Sequence, residues 1–217
     1  LRYLTFRRHS EKELVTITIG IAPLIEGTVV HEYCTGHCSH VFTSVFKEAF
    51  PKANSRARDL AATIQITPQA FGLFIQWAYK HPSGLPTPSI ADWISVWILA
   101  DKLWIPKLQN FAINAINLNF NLGAGLGEQD FVKMWKKILT EQDFLNIWKN
   151  TTKRSALRSF FADAIAICCP TFNSANILPK NTMLDVYDVW KKSYEETGKS
   201  HVERKDRCIQ KYHVNED

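Results

Sequence analysis

Val15-Thr16-Ile17-Thr18-Ile19-Gly20 is the stretch from which the fold is read. Apolar and hydroxylated β-branched residues alternate along it. Successive side chains of a strand point to opposite faces, so the pattern predicts a half-buried strand. Working outward, Pro23 and Gly27 turn the chain, and Thr28-Val29-Val30-His31 offers an antiparallel partner before a helical segment holding Phe42, Val45, Phe46 and Phe50. Ala62-Thr63-Ile64-Gln65-Ile66 repeats the alternation and predicts a third strand.

Helices follow. Thr67 can cap one whose first turn takes Pro68, where a missing N–H costs nothing, and Phe71, Phe74, Ile75, Ala78 and Tyr79 fall on one face of it. After Pro82, Gly84, Pro86 and Pro88, the pair Ser89 and Asp92 reads as a capping box opening a second helix with Trp93, Val96, Trp97, Ala100, Leu103 and Trp104. Pro106 starts a third with Leu108, Phe111, Ala112, Ala115 and Ile116, and the short link at Ile105-Pro106 implies that two packed helices meet at an angle. Gly123-Ala124-Gly125-Leu126-Gly127 reads as a linker, because a dinucleotide-binding loop needs glycine where Glu128 stands and a strand before it. Beyond it, helical spacing joins Phe131, Met134, Trp135, Ile138 and Leu139, then Phe144, Leu145 and Trp148, then Leu157, Phe160, Phe161, Ala164, Ile165 and Cys168. Pro170 ends that run, and Leu178-Pro179 opens a last helix with Met183, Val186, Tyr187, Trp190 and Tyr194. The tail Glu195–Asp217 mixes both charges with few apolar residues and predicts an exposed helix or frayed end. The expected fold class is α+β: a small three-stranded sheet covered by helices, over 14–120, then an all-helical extension over 129–196. Residues 1–13 and 197–217 are expected to flank them.

Composition narrows the function. The chain has 217 residues, 46% of them apolar and 12% aromatic, enough for a substantial core. No apolar run approaches the roughly 20 residues that span a bilayer. Five cysteines is an odd count with no spacing of a disulfide framework, so reduced thiols and a cytoplasmic or nuclear address are expected. The chain opens on Leu1 rather than Met, which suggests a fragment and leaves room for an upstream targeting segment. Asn150-Thr151-Thr152 matches a glycosylation sequon, read as chance in the absence of an export signal. The net charge of +5 is spread as pairs, Arg7-Arg8, Lys136-Lys137, Lys153-Arg154 and Lys191-Lys192, among acids. Solvated helix faces account for such pairs, and a basic stripe assembled from them for nucleic acid is the alternative.

Chemistry has little motif support. His31, Cys34, His37, Cys38 and His40 are zinc-type ligands, but all lie within ten residues, whereas structural sites draw on two separated pairs. Cysteines acting as small core groups are the simpler account. Nucleophile elbow, phosphate loop and His-Glu-x-x-His helix are all absent from the sequence, so no enzyme, cofactor or metal is expected. Asp92, Asp101, Asp163, Asp185 and Asp188 fall in helical segments as capping or exposed groups. Of the seven tryptophans most are expected in the core, but Trp77 and Trp93 fall beside the main stripes and are candidates for a seam or partner surface.

Leu14 to Phe120 resembles the BTB/POZ domain, in the form common in fungal proteins. The likeness rests on Val15-Thr16-Ile17-Thr18-Ile19-Gly20; on His31 followed by Ser39-His40-Val41-Phe42-Thr43-Ser44-Val45-Phe46; on Thr67 through Tyr79; and on Ala100-Asp101-Lys102-Leu103-Trp104-Ile105-Pro106-Lys107-Leu108-Gln109-Asn110, the most specific piece. Ile147 to Arg158 and Leu178-Pro179 are similar to the helical extension of those proteins. The resemblance implies a non-catalytic protein–protein interaction module that forms a homodimer or pairs with other proteins, with a cullin-docking substrate adaptor as an alternative; the basic pairs leave a nucleic-acid-associated regulator as a second. Cullin-binding members carry a hydrophobic-x-Glu motif where this chain has Phe50-Pro51-Lys52, and Lys52 reverses the charge of that Glu. Phe50, Lys52, Trp77 and Trp93 are the candidate partner surface.

Overall fold

The computed structural model describes residues 2–8, 14–21, 24–31, 39, 41, 44, 67–79, 88–121, 139–168, 180–197 and 209–216. The chain divides into two compact units, Leu1–Pro88 with Ser95–Gln109, and Ser89–Ile94 with Asn110–Asp217.

The first unit holds three strands, β1 (Arg2–Arg8), β2 (Leu14–Ile21) and β3 (Leu24–His31). They form an antiparallel meander in the order β1-β2-β3, with Phe6 opposite Ile17 and Ile17 opposite Thr28. Ile17 is fully buried.

The expected fold class is corrected here. Helix accounts for most of the described residues, and from Thr67 to Glu216 every described regular element is helical. Among the described residues the sheet lies within the first 31 and uses Arg2–Arg8, expected as a flank, where the BTB/POZ-like arrangement needs a strand arriving after a helix. Adjacent antiparallel strands need only short turns, so β1, β2 and β3 pair in sequence order. Ala62–Ile66, the strand expected in that place, lies outside the described residues, as does the linker Gly123–Gly127.

Helix α1 (Pro68–Ala78) starts as its sequence dictates: the Thr67 hydroxyl accepts the Ala70 N–H at 3.1 Å, and Pro68 takes the first turn. It buries Ala70, Phe71, Leu73 and Phe74, the two phenyl rings 5.6 Å apart. Helix α2 (Ile90–Lys102) opens on the expected capping box, Asp92 N–H to Ser89 Oγ at 3.1 Å and Ser89 N–H to Asp92 Oδ2 at 2.9 Å. In the first unit it buries Val96, Trp97, Ile98, Leu99 and Ala100, five residues in succession. A helix apolar all round is a core element, which a single stripe did not reveal. Helix α3 (Pro106–Asn121) follows after three residues.

The second unit contains α4 (Glu141–Asn150), α5 (Ala156–Cys168) and α6 (Lys180–Thr197). Thr140 and Asp143 make a reciprocal capping box for α4. Phe144, Leu157, Phe160, Phe161 and Ala164 are buried, as the helical spacing predicts, with Phe144 edge-on to Phe161 at 6.2 Å; on α4 the expected Leu145 is exposed and Ile147 is buried in its place. Arg158 ties the three helices together. Its Nε donates to Thr151 Oγ1 at 3.0 Å, and Nη2 donates to the carbonyls of Thr151, at 2.7 Å, and Trp148. Its guanidinium lies 5.5 Å from the Trp148 ring centroid and 3.7 Å from Asp185 Oδ2, which also accepts the Trp148 indole N–H at 2.8 Å. Burial lowers the Arg158 pKa from its ordinary value and the Asp185 charge opposes that shift, while the guanidinium stays charged throughout the accessible pH range. Removing one partner of such a pair strands the other without compensation, so Arg158→Ala should cost about 3 kcal/mol in urea unfolding, and the exposed Arg154→Ala less than about 0.5 kcal/mol.

Candidate functional site

The corner between α2 and α3, Ala100 to Gln109, lies within the first unit and carries two departures from what a stable helix end prefers. A helix leaves its last four carbonyls without partners. Here the Ile105 N–H returns to the Ala100 carbonyl at 2.9 Å and the Trp104 N–H to Asp101 O at 3.3 Å, the bonding of a Schellman terminus. The Leu103 carbonyl accepts the buried Ser39 hydroxyl at 2.8 Å. That terminus places the residue after the cap in the left-handed region, where glycine is favoured. Trp104 occupies it, at φ 54°, and is the only non-glycine residue with positive φ among those described. For an L-residue this costs on the order of 1–2 kcal/mol.

The same tryptophan is 79% exposed. A single exposed apolar side chain is ordinary, but this one is held in an unfavourable backbone conformation without burial to offset it. Its neighbours Leu103 and Ile105 are both buried, so the turn is anchored on either side while the indole faces water. Burying an indole removes about 200 Å² from water, worth roughly 5 kcal/mol at most. Lys102 and the exposed Lys107 flank it in sequence.

Asp101 is the second departure. A carboxylate in the last turn of a helix meets the negative end of the dipole. Partial burial raises its pKa above the ordinary 3.8, opposed by the nearby Lys102 charge and by the hydrogen bond from Gln109 Nε2 to Oδ1 at 3.1 Å. That bond also braces the end of α2 against the start of α3.

The candidates read from sequence fall differently. Phe50 and Lys52 lie outside the described residues. Trp77 is half-buried on α1. Trp93, in the second unit, is half-buried and edge-on to Phe111 at 5.6 Å, so an aromatic group of its own chain meets part of its ring. Trp104 was expected on the buried stripe of α2; the helix ends at Lys102, two residues short of it, and the turn swings the indole outward. The three-residue link Leu103–Ile105 has no glycine, so a Schellman closure there puts another residue in the left-handed conformation. Asp163 and Asp185, expected as capping or exposed groups, instead hold Tyr212 and Trp148.

Among the described residues no group of three or more His, Cys, Asp or Glu is placed to hold a metal, and no helix is long and apolar enough to cross a membrane. Cys34, His37, Cys38 and His40 lie outside the described residues. Comparison with protein-family models, with curated proteins and with solved structures finds no match to this chain.

Two substitutions test the cost of this corner. Trp104→Gly should raise the stability of the chain by about 1 kcal/mol in thermal or urea unfolding, because glycine takes the same φ without strain. Asp101→Asn keeps the acceptor for Gln109 and should stabilise by about 0.5 kcal/mol at neutral pH. Because the folded carboxyl holds its proton more tightly than the unfolded one, its contribution is fully present below pH 3.8 and is lost as pH rises through the raised folded value. The gain from Asp101→Asn should therefore shrink toward zero in melts taken at progressively lower pH.

Proposed function

We propose that the chain is a non-catalytic protein–protein interaction module that binds through the α2–α3 corner, with Trp104 as the anchor. The observation that carries this reading is an indole held in the left-handed conformation while exposed to solvent. Such a residue costs stability in the isolated chain and returns it only when another surface covers it, and tryptophan is the side chain most enriched where binding energy concentrates. Flanking lysines at 102 and 107 favour a partner whose apolar pocket is rimmed by acids. The sequence resemblance of Ala100–Asn110 to an interaction family points the same way. Five cysteines without paired spacing fit a reducing compartment, and we place the module in the cytoplasm or nucleus on that ground. Cullin docking rests on Phe50 and Lys52 and gains no support from the corner.

Self-association is the form of this activity that one measurement tests. Light scattering across a wide concentration range should show the mean mass rising above that of one chain, and Trp104→Ala should hold it at the single-chain value with an unchanged melting temperature. A wild-type chain that stays strictly monomeric at the highest concentration, or one whose self-association ignores Trp104→Ala, would remove the proposal that copies pair through this corner.

A further inference from the structure

The segment Ile209–Glu216, in the tail expected to be exposed or frayed, is docked within the second unit, and the way it is held has the character of peptide recognition. Tyr212 is 2% exposed, its ring edge-on to Phe160 of α5 at 5.3 Å and its hydroxyl donating to Asp163 Oδ2. Lys211 Nζ reaches the same carboxylate at 2.6 Å and lies 4.6 Å from the Tyr212 ring centroid. Two residues on, Asn110 of α3 takes both backbone groups of Val214: its Oδ1 accepts the Val214 N–H at 2.7 Å and its Nδ2 donates to the Val214 carbonyl at 2.9 Å. Nδ2 also donates to Glu216 Oε1 at 2.9 Å, and the Asn114 carboxamide oxygen lies 3.0 Å from His213 Nε2.

These interactions divide as they do in peptide-binding grooves. An aromatic anchor with a satisfied polar tip selects the side chain, and a side-chain amide mimicking a neighbouring strand reads the backbone whatever the residue there. All of them fall within six consecutive residues, 211–216. The sequence before them, Gly198 to Cys208, is mostly charged or polar, and the covalent connection supplies effective concentration. We infer that the surface made by Asn110 and Asn114 of α3 with Phe160 and Asp163 of α5 is a peptide-binding site. Its ligand class is a Lys-Tyr pair followed two residues later by a residue held through its backbone and, two further on, by an acid, and the chain's own Lys211–Glu216 fills it in cis. This inference does not rest on the role given to Trp104.

The test uses the full chain with a protease site placed between Arg204 and Cys208. After cleavage, a fluorescein-labelled peptide of the sequence Ile209–Asp217 is titrated and followed by anisotropy. Saturable binding is expected, weakened roughly thirtyfold when the peptide carries Tyr212→Ala, the size expected for loss of a buried aromatic anchor. Asp163→Asn in the protein should weaken it in the same direction. Absence of saturable binding to cleaved protein with native circular dichroism, or binding indifferent to Tyr212→Ala, overturns the inference. Should cleavage abolish the native spectrum, the titration is made on intact chain carrying Tyr212→Ala, where peptide binding with a raised melting temperature supports the site and its absence overturns it.

Discussion

The first unit depends on how the C-terminal end of α2 is closed. That helix is buried on all sides through Val96–Ala100, so its terminal carbonyls end inside the unit and must find donors there. Three are supplied: the Ile105 and Trp104 N–H groups and the Ser39 hydroxyl. The first two require the chain to reverse at once, which permits α3 to begin at Pro106 and obliges residue 104 to take the left-handed conformation. Fold and candidate site are thus consequences of one constraint. A glycine at 104 would satisfy the same carbonyls at lower energy, so hydrogen bonding accounts for the turn and not for the identity of the side chain.

The second unit meets the corresponding problem with side chains. Arg158 donates to carbonyls at the end of α4 and pairs with Asp185 of α6, so one guanidinium closes a helix terminus and joins three helices. Here the polar groups are mutually satisfied, and the network specifies which helices pack together. Asn110 does similar work at a different level. Its carboxamide engages the backbone of Val214 on both sides, so the docking of 209–216 relies on Tyr212 for its apolar contribution and on main-chain hydrogen bonds for its register.

Local rules carried the helices well. Thr67-Pro68 and Ser89-x-x-Asp92 mark starts that the structure reproduces, and the spacing of Leu157, Phe160, Phe161 and Ala164 identifies the buried face of α5. Each of these is decided within four residues by capping chemistry or helical period. The sheet was less legible, because alternation says that a segment is a strand but not which other segment it pairs with, and Arg2–Arg8 competes for the same edge as anything arriving later. The docking of 209–216 was not legible because the tail's apolar content is low on average, whereas docking depends on one tyrosine at the right place. Trp104 was misread because helical period was continued through a turn whose geometry breaks it.

That last misreading bears on how the candidate site arose. Period, capping and burial agree at the starts of α1 and α2 and along the buried face of α5, and consistency of this kind is what makes a sequence specify one structure. Two departures meet at Asp101 and Trp104, three residues apart on the same turn: an acid where the helix dipole and partial burial disfavour it, and a bulky residue where glycine is preferred. Relieving either would not disturb the hydrogen bonds that close α2, since asparagine still accepts from Gln109 and glycine still donates its N–H to Asp101 O. Stability of the isolated chain therefore gives no account of these two side chains. A contact at this turn, as proposed, would give the indole the burial it lacks and bring complements to the charged groups of Asp101, Lys102 and Lys107.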